Sequence, residues 1–156
     1  MIRMLIILFV LSFGAQAQER FASDQERKEI HDWLNGVRAV RGLDSVKIVD
    51  VPEIVEFNNR YASYICNEKF KHSRQGYEVI AMTRSGFEHA IGLWLTSKPH
   101  FAAITNKSVK YVVVGAYTKD NLYYVVANYF WNDPNNKETI KKYKKSIKLL
   151  EKGKYF

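Results

Sequence analysis

The 156-residue chain is 47% hydrophobic and 14% aromatic, enough apolar material to bury one core without covalent staples. Its only cysteine, Cys66, excludes an internal disulfide. A formal charge of +8, from 24 Lys and Arg against 16 Asp and Glu, leaves nucleic acid, an anionic surface or plain solvation to be decided by where the charges lie.

Residues 1–17 read as a signal peptide. Arg3 precedes the apolar run Met4 to Leu11, and Ala15-Gln16-Ala17 supplies small residues for cleavage. The run is about ten residues, too short to span a bilayer about 30 Å thick as a helix. The mature chain is therefore expected from Gln18, secreted or periplasmic, with one domain over 18–133 and a separate basic helix over 134–156.

Ser23-Asp24-Gln25-Glu26 has the form of a capping box. Ile30, Trp33, Leu34, Val37 and Val40 or Arg41 then recur at helical spacing until Gly42, which predicts a first helix. Val51-Pro52-Glu53 opens a second, whose stripe is Ile54, Phe57, Tyr61, Tyr64 and Ile65. It ends before Phe70 and delivers His72. Cys66 lies in this helix and reads as a small buried hydrophobe. Ser85-Gly86-Phe87-Glu88 begins a third helix, with Phe87, Ala90, Ile91, Trp94 and Leu95 inward. Pro99 is expected to stop it just before His100.

Tyr111 to Tyr117 and Leu122 to Phe130 are β-type runs joined by the turn residues Thr118-Lys119-Asp120-Asn121, which predicts an antiparallel hairpin. Both runs are almost continuously apolar, so helices should cover both faces of the sheet. The fold class is α+β: a three-layer αβα sandwich with a central antiparallel sheet. Lysines then crowd the last twenty residues, where Ile140, Tyr143, Ile147 and Leu150 recur at helical spacing. The stripe docks on the domain, and the lysines are either solvated or in peripheral contact with an anionic surface. Nucleic acid is disfavoured, because aromatics are not interleaved with arginines. Without a Gly-rich phosphate loop the nucleotide-binding classes lose support.

An ordered set of short motifs runs through these elements. They are Asn35-x-x-Arg38-x-x-x-Gly42-Leu43, Phe70-x-His72-Ser73, Glu78-x-Ile80-Ala81, Trp94-x-x-Ser97-x-x-His100, Val114-Gly115-Ala116 and Tyr123 to Phe130. In order and spacing the set resembles the CAP superfamily: the cysteine-rich secretory proteins, antigen 5 and plant pathogenesis-related 1 proteins, which share the SCP domain. The likeness is to the short bacterial form and runs from about Glu29 to Phe130. It implies the same αβα sandwich and a cleft lined by two histidines and two acidic residues. His72, Glu78 and His100 fall on three of those positions, whereas Ser97 occupies the place of the second glutamate. The family's glycine-glutamate-asparagine motif is altered too, since Tyr77 separates Gly76 from Glu78 and Val79 follows.

Two imidazoles and a carboxylate could hold Zn²⁺ with an open position, which makes His72 and His100, with Glu78, the metal candidates. A metal-free polar cleft is the other reading of the same residues. A nucleophilic reading would pair Ser73 or Ser97 with His72 or His100 and orient the base with Glu78, yet no Gly-x-Ser-x-Gly elbow is present. His31 reads as structural, and His89 falls on the polar side of its helix. Tyr77, Tyr123, Tyr124, Tyr129, Trp94 and Trp131 read as core aromatics before ligand contacts. The favoured function is a secreted, non-catalytic binding module for a lipid, peptide or envelope ligand at His72, Glu78, Ser97 and His100. The alternative is a metal-dependent extracellular hydrolase, with Glu78 or Ser97 as the catalytic candidates.

Overall fold

The computed structural model describes residues 19–155; the expected signal peptide lies outside them. The order is β1 (Arg20–Phe21), α1 (Asp24–Val40), β2 (Lys47–Ile48), α2 (Pro52–Asn67), β3 (Glu78–Thr83), α3 (His89–Thr96), α4 (Lys98–Ile104), β4 (Tyr111–Lys119), β5 (Leu122–Phe130) and α5 (Lys137–Glu151). β4 and β5 form the expected hairpin, turning through Asp120 and Asn121 at φ 52° and 58°, the left-handed pair of a type I′ turn. β3 lies antiparallel beside β5. The far edge of β4 is shared by β2, parallel at Tyr111 and Val112, and β1, antiparallel at Tyr117 and Thr118. The sheet is antiparallel except for β2.

Alternation along the central strands divides the interior in two. Val112, Val114, Val125, Ala127 and Tyr129 point into one core, where Ile30, Leu34, Ala90, Trp94 and Ile104 bring α1, α3 and α4. Val113, Tyr117, Tyr124 and Val126 point into the other, with Ile54, Phe57, Tyr61 and Ile65 of α2 and Tyr143 and Ile147 of α5. These are the three layers of the sandwich. α1 starts on the expected capping box, the Ser23 hydroxyl accepting from Glu26 N–H and Glu26 accepting from Ser23 N–H. It stops at Gly42 (φ 65°), where Leu43 N–H returns to the Arg38 carbonyl.

Several expectations are corrected. Trp33, Val40 and Leu95 are exposed: Ile30, Leu34 and the buried Arg38 already fill the inner stripe of α1, and Ala90, Ile91 and Trp94 that of α3. Pro99 does not end a helix before His100. α3 closes at Ser97, which is at once the N-cap of α4, and Pro99 sits in the first turn of that helix, where its missing N–H costs nothing. β3, which no sequence pattern announced, is the strand that carries Glu78.

Candidate functional site

Glu78 is the first residue of β3 and faces the α2/α5 layer, opposite Asn128 of β5. Its side chain is only 1% exposed. Burial of a carboxylate is costly unless hydrogen bonds replace its water, and three do. Ser73 N–H donates at 2.8 Å, the Ser73 hydroxyl donates to the second oxygen, and His72 Nδ1 lies 3.2 Å away. His72, on the loop between α2 and β3, is half exposed. His100 comes from the opposite layer, in the first turn of α4. Its Nε2 stands 3.3 Å from Nε2 of His72, so the two imidazoles meet around the end of β3.

The carboxylate decides the tautomer. Glu78 can only accept, so neutral His72 donates from Nδ1 and keeps its lone pair on Nε2. The donor between the rings is then His100 Nε2–H. Burial, and secondarily the neighbouring His72, hold the His100 imidazole below its usual pKa, which keeps His100 neutral at pH 7. Lys69, Lys71 and Arg74 flank His72 in the same loop. Partial desolvation, followed by the charges of Lys69 and Arg74, pushes the Lys71 ammonium down.

Both sides of the pair are braced. Arg38, buried, donates through Nε to the Asp44 carbonyl and through Nη1 to the carbonyls of Ile104 and Asn106, tying α1 to the end of the helix that holds His100. The Asn35 amide makes a two-way clamp with the Val46 backbone, and His31 Nε2 meets the Val46 carbonyl at 2.9 Å, the structural role expected for it. On the other side Gln75 Nε2 donates to Ser146 Oγ of α5 and to the Tyr155 hydroxyl, which also accepts from Arg74 N–H. Tyr61 donates to the Lys71 carbonyl.

The structure thus brings His72, Glu78 and His100 together in series, not as three groups facing one point. Among the described residues no cluster of three or more His, Cys, Asp or Glu side chains is arranged to hold a metal ion. Ser97 works through its backbone, accepting from Phe101 N–H at 2.8 Å, and its hydroxyl makes no capping bond. Ser73 gives its hydroxyl to Glu78 and not to an imidazole. His89 is exposed beside Glu88. Sequence reasoning passed over Gln75, Ser146 and Tyr155; the one signal was a polar Ser146 within the Tyr143–Ile147–Leu150 stripe.

No protein-family model matches the sequence, and no curated protein does either. Solved structures do. An outer surface protein of Borrelia burgdorferi superposes with a TM-score of 0.57 at 14% identity, over 72% of this chain and 97% of that one. Hookworm platelet inhibitor gives 0.55 at 15% identity, over 82% and 81%. The protein MpPR-1i gives 0.54 at 17% identity, over 74% and 95%. The chain has the CAP fold. At such identities the CAP likeness is one of architecture, and the function of the His72–His100 site has to be argued from its own chemistry. No helix among the described residues is long and apolar enough to cross a membrane.

Proposed function

We propose that this CAP-fold protein is an exported binding module whose His72–His100 pair contacts the ligand, with Glu78 as the buried group that orients His72. The carrying observation is the chain from carboxylate to Nδ1 and from Nε2 to Nε2. A ligand of the lipid, peptide or envelope class with an anionic or accepting end suits this site, because Lys69, Lys71 and Arg74 put positive charge on the loop that carries His72.

The donor set also fits zinc. Two Zn–N bonds of about 2.0–2.1 Å at a tetrahedral angle place their nitrogens about 3.3 Å apart, which is the separation of the two Nε2 atoms. His72 and His100 would hold the ion and Glu78 would fix the His72 tautomer from behind, as carboxylates do for ligating histidines. Bound zinc would supply a Lewis-acidic contact for the anionic end of the ligand. With two protein ligands and three cations nearby, binding is modest.

Hydrolysis finds less support. A general base must reach water, and the Glu78 carboxylate is buried and spent on His72 and Ser73. Ser73 Oγ donates to that buried carboxylate and to no imidazole, so the serine–histidine pairing of a hydrolase triad is not formed at Ser73.

Zinc titration by calorimetry at pH 7.5 tests the site. One equivalent should bind the wild type and none His72→Ala or His100→Ala, while Glu78→Gln should bind 10–100-fold more weakly. A folded wild type that takes up no zinc removes the metal. Retention of the same co-purified ligand by both histidine variants would remove the pair from the binding site.

A further inference from the structure

The basic charge of the chain is concentrated on one helix face. Between Lys137 and Lys154 there are eight lysines and two glutamates. At 100° per residue, Lys137, Lys141, Lys144, Lys145 and Lys148 of α5, with Lys152 at its C-cap, share a sector about 100° wide on the side opposite Tyr143 and Ile147. All six are exposed, and every residue in the sector is lysine. Glu138 and Glu151 fall just outside it, one on each side. Along this face, which runs for about 22 Å of helix, Lys137, Lys141, Lys144, Lys145, Lys148 and Ile140 line a shallow groove of about 580 Å³.

This arrangement works against the helix that carries it. Lys137–Lys141, Lys141–Lys145, Lys144–Lys148 and Lys148–Lys152 are like-charge pairs at i,i+4, each unfavourable for helix formation. Among the described residues only Lys144 of the six has an ion-pair partner, Glu53 at 3.1 Å. The helix stands because its other face is locked into the second core, so its outer face is free to carry charge that an isolated helix would tolerate poorly.

We propose that the lysine ridge of α5 docks the protein on an anionic lipid surface, with the helix axis lying along the bilayer. The chemistry of the face selects this partner. It has no Arg fork for bidentate phosphate or base recognition, no aromatic platform for stacking and no amide for sugar hydroxyls. Six flexible point charges along one helix face read charge density, which a plane of mobile anionic headgroups supplies along the whole 22 Å or so of the helix.

The test uses the mature chain expected from Gln18, residues 18–156, which holds every described element, sedimented with vesicles of phosphatidylglycerol and phosphatidylcholine or of phosphatidylcholine alone. Binding is expected only to the anionic vesicles and should weaken steeply with added salt. Each lysine near such a surface contributes about 1 kcal/mol, roughly fivefold in partitioning. The triple variant Lys141→Gln, Lys145→Gln, Lys148→Gln should therefore lose about a hundredfold, while the corresponding triple Arg variant, which keeps the charge, should bind like the wild type. Circular dichroism on each protein controls for folding. Unchanged partitioning of the triple Gln variant overturns the proposal, as does capture by a soluble polyanion with no binding to vesicles.

Discussion

His100 is the residue through which the site senses pH. Its imidazole is held below the usual His value by burial and by His72, whereas in the unfolded chain it titrates near pH 6.5 or so. Between those two values the unfolded chain binds more protons, so stability rises with pH in that window. Its contribution is complete above about pH 6.5 and is lost as pH falls from there toward the folded-state value. Urea unfolding of the wild type should give a lower midpoint at pH 5.5 than at pH 7.5, and His100→Gln should flatten that difference. An equal pH dependence in the two proteins would mean that the imidazole stays solvated. The same depression keeps His100 unprotonated, and competent to hold zinc, at a lower pH than a free histidine.

At the level of elements, α2 lies closer to the sheet than ordinary side chains permit. The cause is Gly115. A Cβ there would stand 2.5 Å from Asn58 Cβ and 2.6 Å from Asn59 N, and the helix backbone cannot yield locally. Asn58 donates to the Val113 carbonyl and Asn59 accepts from Ala116 N–H, so two neighbouring amides stitch α2 to β4 on either side of the glycine. Gly115→Ala should cost about 1–3 kcal/mol or more by overpacking, read as a lower urea midpoint with an unchanged slope. Wild-type stability in the variant would show that α2 is free to slide. This close approach also bears on what was readable in the sequence. β4 and β5 were legible because nine-residue apolar runs flank a turn, and α1, α2 and α5 because their stripes are long. β3 was not, since six residues that include Glu78 and Thr83 carry too little period, and β1 and β2 are two residues each. α4 escaped because Pro99 permits both a stop and a start. His72, Glu78 and His100 were named through family resemblance, but their order in space was not: that order depends on Ser73 taking both carboxylate oxygens, a contact set by the β3 register.

For the molecule as a whole, the C-terminus closes the second core and holds the histidine loop in place. Tyr155 is buried, its ring 5.6 Å from Phe57 and 5.7 Å from Tyr61, and its hydroxyl accepts from Arg74 N–H and Gln75 Nε2. Gln75 also reaches Ser146, so the segment just after His72 is pinned to residues 71 and 80 positions further along the chain. Packing and positioning can be separated by two substitutions. Tyr155→Ala removes both and should cost about 3–5 kcal/mol, the usual loss for a large buried aromatic. Tyr155→Phe keeps the ring and removes only the hydroxyl, so it should cost about 1 kcal/mol. Its larger effect should be on the site, because the 71–76 loop then loses one of its anchors, at Arg74 and Gln75, while Glu78 stays fixed in β3. Zinc affinity in Tyr155→Phe should fall several-fold more than its stability loss predicts, by calorimetry and urea unfolding on the same sample. If affinity is unchanged, Glu78 and Ser73 position His72 unaided, and the C-terminus serves the core alone.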